Sequence, residues 1–196
     1  MEEAMRKEKL IFVTGNKYKI AEAEVSFKKY GLEFEAKPLD IDEIQNHEPL
    51  KITESKVRTS YEMLKRPVIV HDSNWSIPAL SGFPGGYMKD VTSWFEPEDF
   101  LNLMRGKKDR SIYLIEMVAY FDGDNLKTFS EKHELEFVEE PRGFDGSSLD
   151  RVTKHRHEDK TVSEIYDLQE SGDDLVEDDT FQVWIDFLDW YKEEIK

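Results

Sequence analysis

Leu10-Ile11-Phe12-Val13-Thr14-Gly15-Asn16-Lys17-Tyr18-Lys19 reads as a buried strand that runs into a tight turn and opens a helix. The apolar run stops at Thr14-Gly15, and Asn16 is a residue whose short side chain can accept from the first free N–H groups of a helix. Ile20, Ala23, Phe27 and Tyr30 then fall on one helical face, and Gly31 supplies the stop. The pattern repeats downstream. Leu32 to Ala36 alternates like a strand, and Pro49 is a good first residue for a second helix reaching about Leu64. Pro67-Val68-Ile69-Val70 is a second buried strand with His71-Asp72 at its carboxyl end. Strand, helix and strand in that order predict an α/β architecture.

The rest of the chain is read in the same way. Ser81-Gly82-Phe83-Pro84-Gly85-Gly86-Tyr87 is expected to be loop, and Phe95 to Met104 a short helix. Ser111 to Phe121 is a long strand, turning at Asp122-Gly123-Asp124-Asn125 into Leu126 to Phe129. His133 to Val138 alternates again, and Arg142 to Lys160 is expected to be loop. A last helix from about Thr180 carries an apolar stripe of Phe181, Trp184, Ile185, Leu188 and Tyr191, suited to core or dimer packing. With no internal repeat and no linker, residues 1–196 read as one domain with an acidic C-terminal helical region.

Composition narrows the function. The 196 residues include no cysteine, which excludes disulfides and thiolate metal sites. No apolar run has the length a membrane span needs, and a cytoplasmic protein is expected. The net charge of −16 argues against nucleic-acid polymers, and from Glu158 to Lys196 there are 14 Asp and Glu against 3 Lys. Any anionic ligand therefore needs a local basic pocket away from that end. The acidic end itself reads either as a solvated surface or as a docking face for a basic partner.

Three sets of residues could supply chemistry. Thr14, Gly15, Asn16 and Lys19 stand at a helix N-terminus, where free N–H groups and a partial positive charge suit a phosphate. A plainly capped helix is the alternative. Glu43 and Asp72 could converge, because Asp72 ends a buried strand and Glu43 precedes the helix that feeds it. Magnesium favours one or two carboxylates completed by water and phosphate oxygens, though two unrelated surface acids would look the same in sequence. Lys56 and Lys89 would add to Lys19 the separated cations a triphosphate requires.

Taken together these residues are recognisable. Phe12-Val13-Thr14-Gly15-Asn16-x-x-Lys19 resembles the opening phosphate-binding signature of the inosine triphosphate pyrophosphatase family. Pro67 to Ser73 is similar to that family's central strand and catalytic acid. Leu80 to Lys89 is similar to its Leu-x-Gly-x-Pro-Gly-x-Tyr-x-Lys loop, with Glu43, Ile52 and Lys56 at matching spacings. The resemblance implies an elongated mixed central sheet flanked by helices, with the active site in a cleft between two lobes, and usually a homodimer. It further implies magnesium-dependent hydrolysis of nucleoside triphosphates, commonly deaminated purine nucleotides, to monophosphate and pyrophosphate. Carried over by position, Thr14, Gly15, Asn16, Lys19, Lys56 and Ser73 would meet the substrate, with Lys19 and Lys56 also catalytic. Glu43 and Asp72 would hold magnesium, Asp72 would also serve as acid or base near the attacking water, and Lys89 would steady the loop or the phosphate end. Asp150 and Lys160 would serve the nucleoside.

The chain departs from this pattern at the base. His71 stands where the family has a second acid, and Ser73-Asn74-Trp75 replaces Ser/Thr-Gly-Leu. After Pro141-Arg142-Gly143, the expected Phe-Gly-aromatic-Asp-Pro reads Ser147-Ser148-Leu149-Asp150-Arg151. The Ser-His-Arg that reads a purine's oxygen edge is Ser163-Glu164-Ile165. Glutamate in place of arginine reverses the hydrogen-bond demand from donor to acceptor. Trp75 and His155-Arg156-His157 are the candidates to compensate. The expectation is therefore a pyrophosphatase with altered base preference. A nucleotide-binding relative with little turnover, or an acidic interaction scaffold, remains open on sequence alone.

Overall fold

A computed structural model describes residues 9–171 and 181–194. The acidic run from Asp173 to Asp179 and the segment Met1 to Glu8 lie outside them. The chain forms β1 (Leu10–Phe12), α1 (Lys17–Lys29), β2 (Phe34–Ala36), α2 (Pro49–Leu64) and β3 (Val68–Ile77). These are followed by β4 (Phe83–Gly85), α3 (Met88–Trp94), α4 (Pro97–Leu103), β5 (Ser111–Phe121), β6 (Leu126–Phe137), β7 (Thr153–His155), α5 (Val162–Ser171) and α6 (Gln182–Glu194). One sheet runs β2-β1-β3-β5-β6-β7, with β4 paired to β3. β1 is parallel to β2 and β3, while the β3–β5, β5–β6 and β6–β7 pairs are antiparallel. The sheet is thus mixed, as expected.

Its long strands are shared between separate cores. Ile69, Val118 and Tyr120 pack with α1 and α6 through Phe27, Trp184, Phe187 and Leu188. Val68, Val70, Ala119 and Phe121, on the other face, pack on Val57 of α2. Further along the same strands, Trp75, Ile77, Ile112, Leu114 and Leu135 belong to a third core with Val91, Phe100 and Met104. Between the first two cores and the third the strands turn polar, at His71 to Asn74 on β3 and Glu116 on β5. The register pairs Ser73 with Glu116 and His71 with Val118. This polar interruption in otherwise apolar strands is the floor of the cleft.

Several elements differ from expectation. Phe83–Gly85, read as loop, is a short strand against Trp75 to Ile77. Leu126 to Phe137 is one continuous strand, because Leu126 to Glu136 all pair with β5 regardless of the polar stretch. Arg142 to Lys160 includes β7, and α5 went unread because its apolar residues are few. The stripe of α6 is broader than expected: Trp184 and Leu188 are buried with Val183 and Phe187, and Phe181 and Tyr191 pack against the same core. Of the expected residues only Ile185 is absent from it, since the aromatic ring of Phe187 fills the space beside Phe27 and Tyr120.

Candidate active site

The cleft encloses about 1050 Å³ and draws its walls from α1, α2, β3, β5, α5 and the loops between them. At one end α1 begins. Asn16 Oδ1 accepts from Tyr18 N at 2.9 Å and Lys19 N at 3.4 Å, while Asn16 N donates to Thr14 Oγ1 at 3.1 Å. The cap fixes the helix direction, and Lys19 Nζ reaches across to donate to the backbone oxygen of His71 at 2.9 Å. Thr14, Gly15, Asn16 and Lys19 all line the cleft.

Opposite them, Lys56 projects from α2 between two carboxylates. Its Nζ lies 2.9 Å from Glu43 Oε1 and 2.7 Å from Asp72 Oδ1. Asp72 Oδ2 is buried and has no hydrogen-bond partner among the described residues. Burial pushes the Asp72 carboxyl up, but the charges of Lys56 and Lys19 outweigh it and hold the group below its ordinary range. For Lys56 burial opposes the charge, and the two carboxylates more than restore it. Both groups are therefore ionised at neutral pH. Gly86 helps assemble this end: a Cβ there would sit 2.1 Å from Asn46 O, so only glycine lets the two loops meet. One of those loops carries Glu43 and the other leads into α3, which carries Lys89; Glu43 Oε2 and Lys89 Nζ are 3.6 Å apart.

Strand alternation sends His71 to the other face of the sheet from Asp72. There it is buried, with Nε2 2.7 Å from Glu116 Oε2 and its ring edge-on to Trp184 of α6 at 5.2 Å. Burial lowers the imidazole's affinity for a proton, outweighing the pull of Glu116. Ser73 Oγ donates to the same Glu116 oxygen at 2.8 Å. Tyr18 stacks on Tyr166 of α5, centroids 4.3 Å apart, and its hydroxyl donates to Asp145 Oδ2. Asp150 accepts from Ser147 N at 2.6 Å, and burial raises its carboxyl to about 6.

The structure thus brings Thr14, Gly15, Asn16, Lys19, Glu43, Lys56, Asp72, Ser73, Lys89 and Asp150 around one cleft. Lys160 is exposed and is not among the cleft-lining residues. Trp75 lines the cleft but is only 4% exposed and belongs to the third core, which leaves no free face for a base. His155, on β7, packs on His133, and Arg156 pairs with Glu134 at 3.2 Å, away from the cleft. Glu164 turns back to accept from Thr161 N at 2.8 Å, so it caps α5 rather than facing a ligand. Glu22, Glu116, Tyr18 and Tyr166 were not foreseen. Glu116 had a visible signal, a lone acid inside the apolar run Ile112 to Phe121, and Glu22 stands one turn after Lys19 on the same helix face.

The comparisons with known proteins agree with this architecture. The model of the Ham1 family matches residues 10–171. A protein of Methanopyrus kandleri named dITP/XTP pyrophosphatase is 36% identical over 80% of this chain and 84% of its own. One of the same name from Saccharolobus solfataricus is 30% identical over 94% and 96%. Among solved structures, a HAM1 protein from Coxiella burnetii superposes with a TM-score of 0.75 at 20% identity, covering 94% of this chain and 98% of that one. The ordered phosphate-turn, strand and loop motifs, the cleft they build and a match over most of the length have one explanation: the chain belongs to the Ham1 family.

Proposed function

We propose that this chain hydrolyses a nucleoside triphosphate between its α and β phosphates, giving a nucleoside monophosphate and pyrophosphate, with a base preference altered from that of deaminated purines. The observation that carries the reading is the end of the cleft where Lys19, Lys56, Glu43 and Asp72 converge. The names of the M. kandleri and S. solfataricus relatives support it. Operation as one domain over residues 1–196, a homodimer and a cytoplasmic location belong to the same reading.

Among the described residues no group of three or more acidic or histidine side chains forms a metal cage. Two carboxylates with one unpartnered oxygen on Asp72 fit magnesium, which keeps water and substrate phosphates as its other ligands. Glu43 and Asp72 would hold it, displacing Lys56 toward the phosphates. Bound there, it would offset polyphosphate charge and polarise the attacking water.

The chain's own residues do the rest. Lys19 and Lys56 supply point charges to a substrate that the net-negative surface would otherwise repel. Asp72, kept ionised by those lysines, orients the water rather than storing a proton. The water oxygen bonds to phosphorus as the bridging P–O bond breaks. Pyrophosphate leaves with that electron pair, and the water's proton passes to solvent. Asp72→Asn, of equal size, is expected to lower pyrophosphate release by about 1000-fold or more with an unchanged melting curve. Wild-type turnover in this variant would refute the assignment.

A further inference from the structure

α2 turns its buried face toward the phosphate end of the cleft. Thr53, Val57 and Ser60 are its buried residues, and Lys56 stands one turn after Thr53 on the same side. This face lies over β3 and β5, where the register sets Asp72 directly opposite Met117. Thr53 covers that pair. Its Oγ1 is 3.9 Å from Met117 Sδ, and its hydroxyl joins Lys56 and Lys19 in holding the Asp72 carboxyl down against burial. One helix face thus brings two donors to one carboxylate, Lys56 on Oδ1 and Thr53 beside it.

A threonine inside a helix ordinarily returns its hydroxyl to the carbonyl one turn back, and Thr53 Oγ1 lies 3.4 Å from Pro49 O. That separation is long for a hydroxyl donor, and the Met117 thioether is a weak acceptor. The hydroxyl has a single proton, and a carboxylate is a much stronger acceptor than either. Asp72 Oδ2 makes no hydrogen bond among the described residues and is open to it. A carboxylate oxygen has two lone pairs, so accepting from Thr53 leaves one for a cation.

The need for that donor grows when substrate binds. Lys56 and Lys19 are the groups that the pyrophosphatase reading sends to phosphate, and each withdraws its charge from Asp72 as it goes. Thr53 is fully buried and stays where it is. Resting on that reading, we propose that Thr53 is a positioning residue: as Lys56 passes to the substrate phosphates, the Thr53 hydroxyl turns from Pro49 O to Asp72 Oδ2 and keeps the carboxylate aimed at the attacking water.

Thr53→Val removes the hydroxyl and keeps the shape of the side chain. With magnesium and whichever of ATP, ITP and XTP the wild type cleaves, it is expected to lower kcat about tenfold and leave KM within about twofold, because substrate does not touch Thr53. Thr53→Ser restores the hydroxyl without the methyl and is expected to bring kcat back to within about threefold of the wild type. Wild-type kcat in Thr53→Val overturns the proposal. So does a Thr53→Ser variant as slow as Thr53→Val, which would trace the loss to packing. A crystal structure of the whole chain with inorganic tripolyphosphate reads the contact without turnover. The hydroxyl is expected within about 3 Å of Asp72 Oδ2, and a hydroxyl still on Pro49 O overturns the proposal. Pyrophosphate release that Thr53→Val leaves untouched removes this inference and keeps the activity. No release from the wild type, with the contact formed, removes the activity and keeps the contact.

Discussion

Lys19 and Lys56 are both lysines in a cleft, yet their surroundings give them different work. Lys56 is clamped between Glu43 and Asp72, so its charge is already matched and its removal would leave two close carboxylates repelling each other. Lys19 is hydrogen-bonded to a neutral carbonyl and can swing to a phosphate without breaking a direct ion pair. Lys19→Ala is therefore expected to weaken a triphosphate more than a monophosphate. The triphosphate should lose about tenfold in affinity and the monophosphate far less, as read by calorimetry with a non-hydrolysable analogue. Equal losses for both would show that Lys19 does not contact the polyphosphate. His71 illustrates the same dependence on surroundings. A histidine in the place of an acid looks like a lost function in sequence, but here it stands beside Glu116, an acid supplied by the neighbouring strand. That exchange could not be read from position 71 alone, because the partner lies 45 residues along the chain and meets it only through the β3–β5 register.

At the scale of elements, the opening strand, turn and helix were legible because local rules decide them. An apolar run, a capping Asn16 and a Gly31 stop, with φ of 64°, act over a few residues each. α2, β3 and β5 were legible for the same reason. β4 was not, because three residues holding a proline and a glycine become strand only by pairing with Trp75 to Ile77. α5 was missed because it is buried on one narrow side and reads as polar elsewhere. α6 was found with most of its apolar stripe, and the unforeseen Phe187 completes its role: Trp184 covers the imidazole of His71, while Phe187 meets Phe27, Tyr120 and Phe129. Phe187→Ala should cost about 3–5 kcal/mol of stability, measured by urea unfolding, because rigid neighbours on both sides cannot close the cavity. A loss below about 1 kcal/mol would mean that α6 repacks or contributes little to this core.

At the scale of the molecule, the cleft is where apolar strands are interrupted by polar residues, and two chemistries share it. Cations and paired carboxylates occupy the end near α1 and α2, and acceptor oxygens occupy the end near α5. The first end was legible in sequence because its residues recur at fixed spacings in short motifs, from Thr14 to Lys19 and from Pro67 to Ser73. The second was not, because it is assembled from single residues on α1, β5, a loop and α5, and because Glu164 and Trp75, which looked available, are used in a helix cap and a core. The charge pattern agrees with this division. In a protein of net charge −16, Lys19, Lys56 and Lys89 gather at one end of the cleft, while Glu22, Glu116, Asp145 and Asp150 line the other.

The central claim is that this cleft cuts a nucleoside triphosphate at the α–β bond. Phosphorus NMR of the purified protein with magnesium and, in turn, ATP, ITP and XTP tests it most directly. The account predicts monophosphate and pyrophosphate in equal amounts from at least one of them, with no orthophosphate. Orthophosphate with nucleoside diphosphate, or no product from any of the three at high protein concentration, would contradict it.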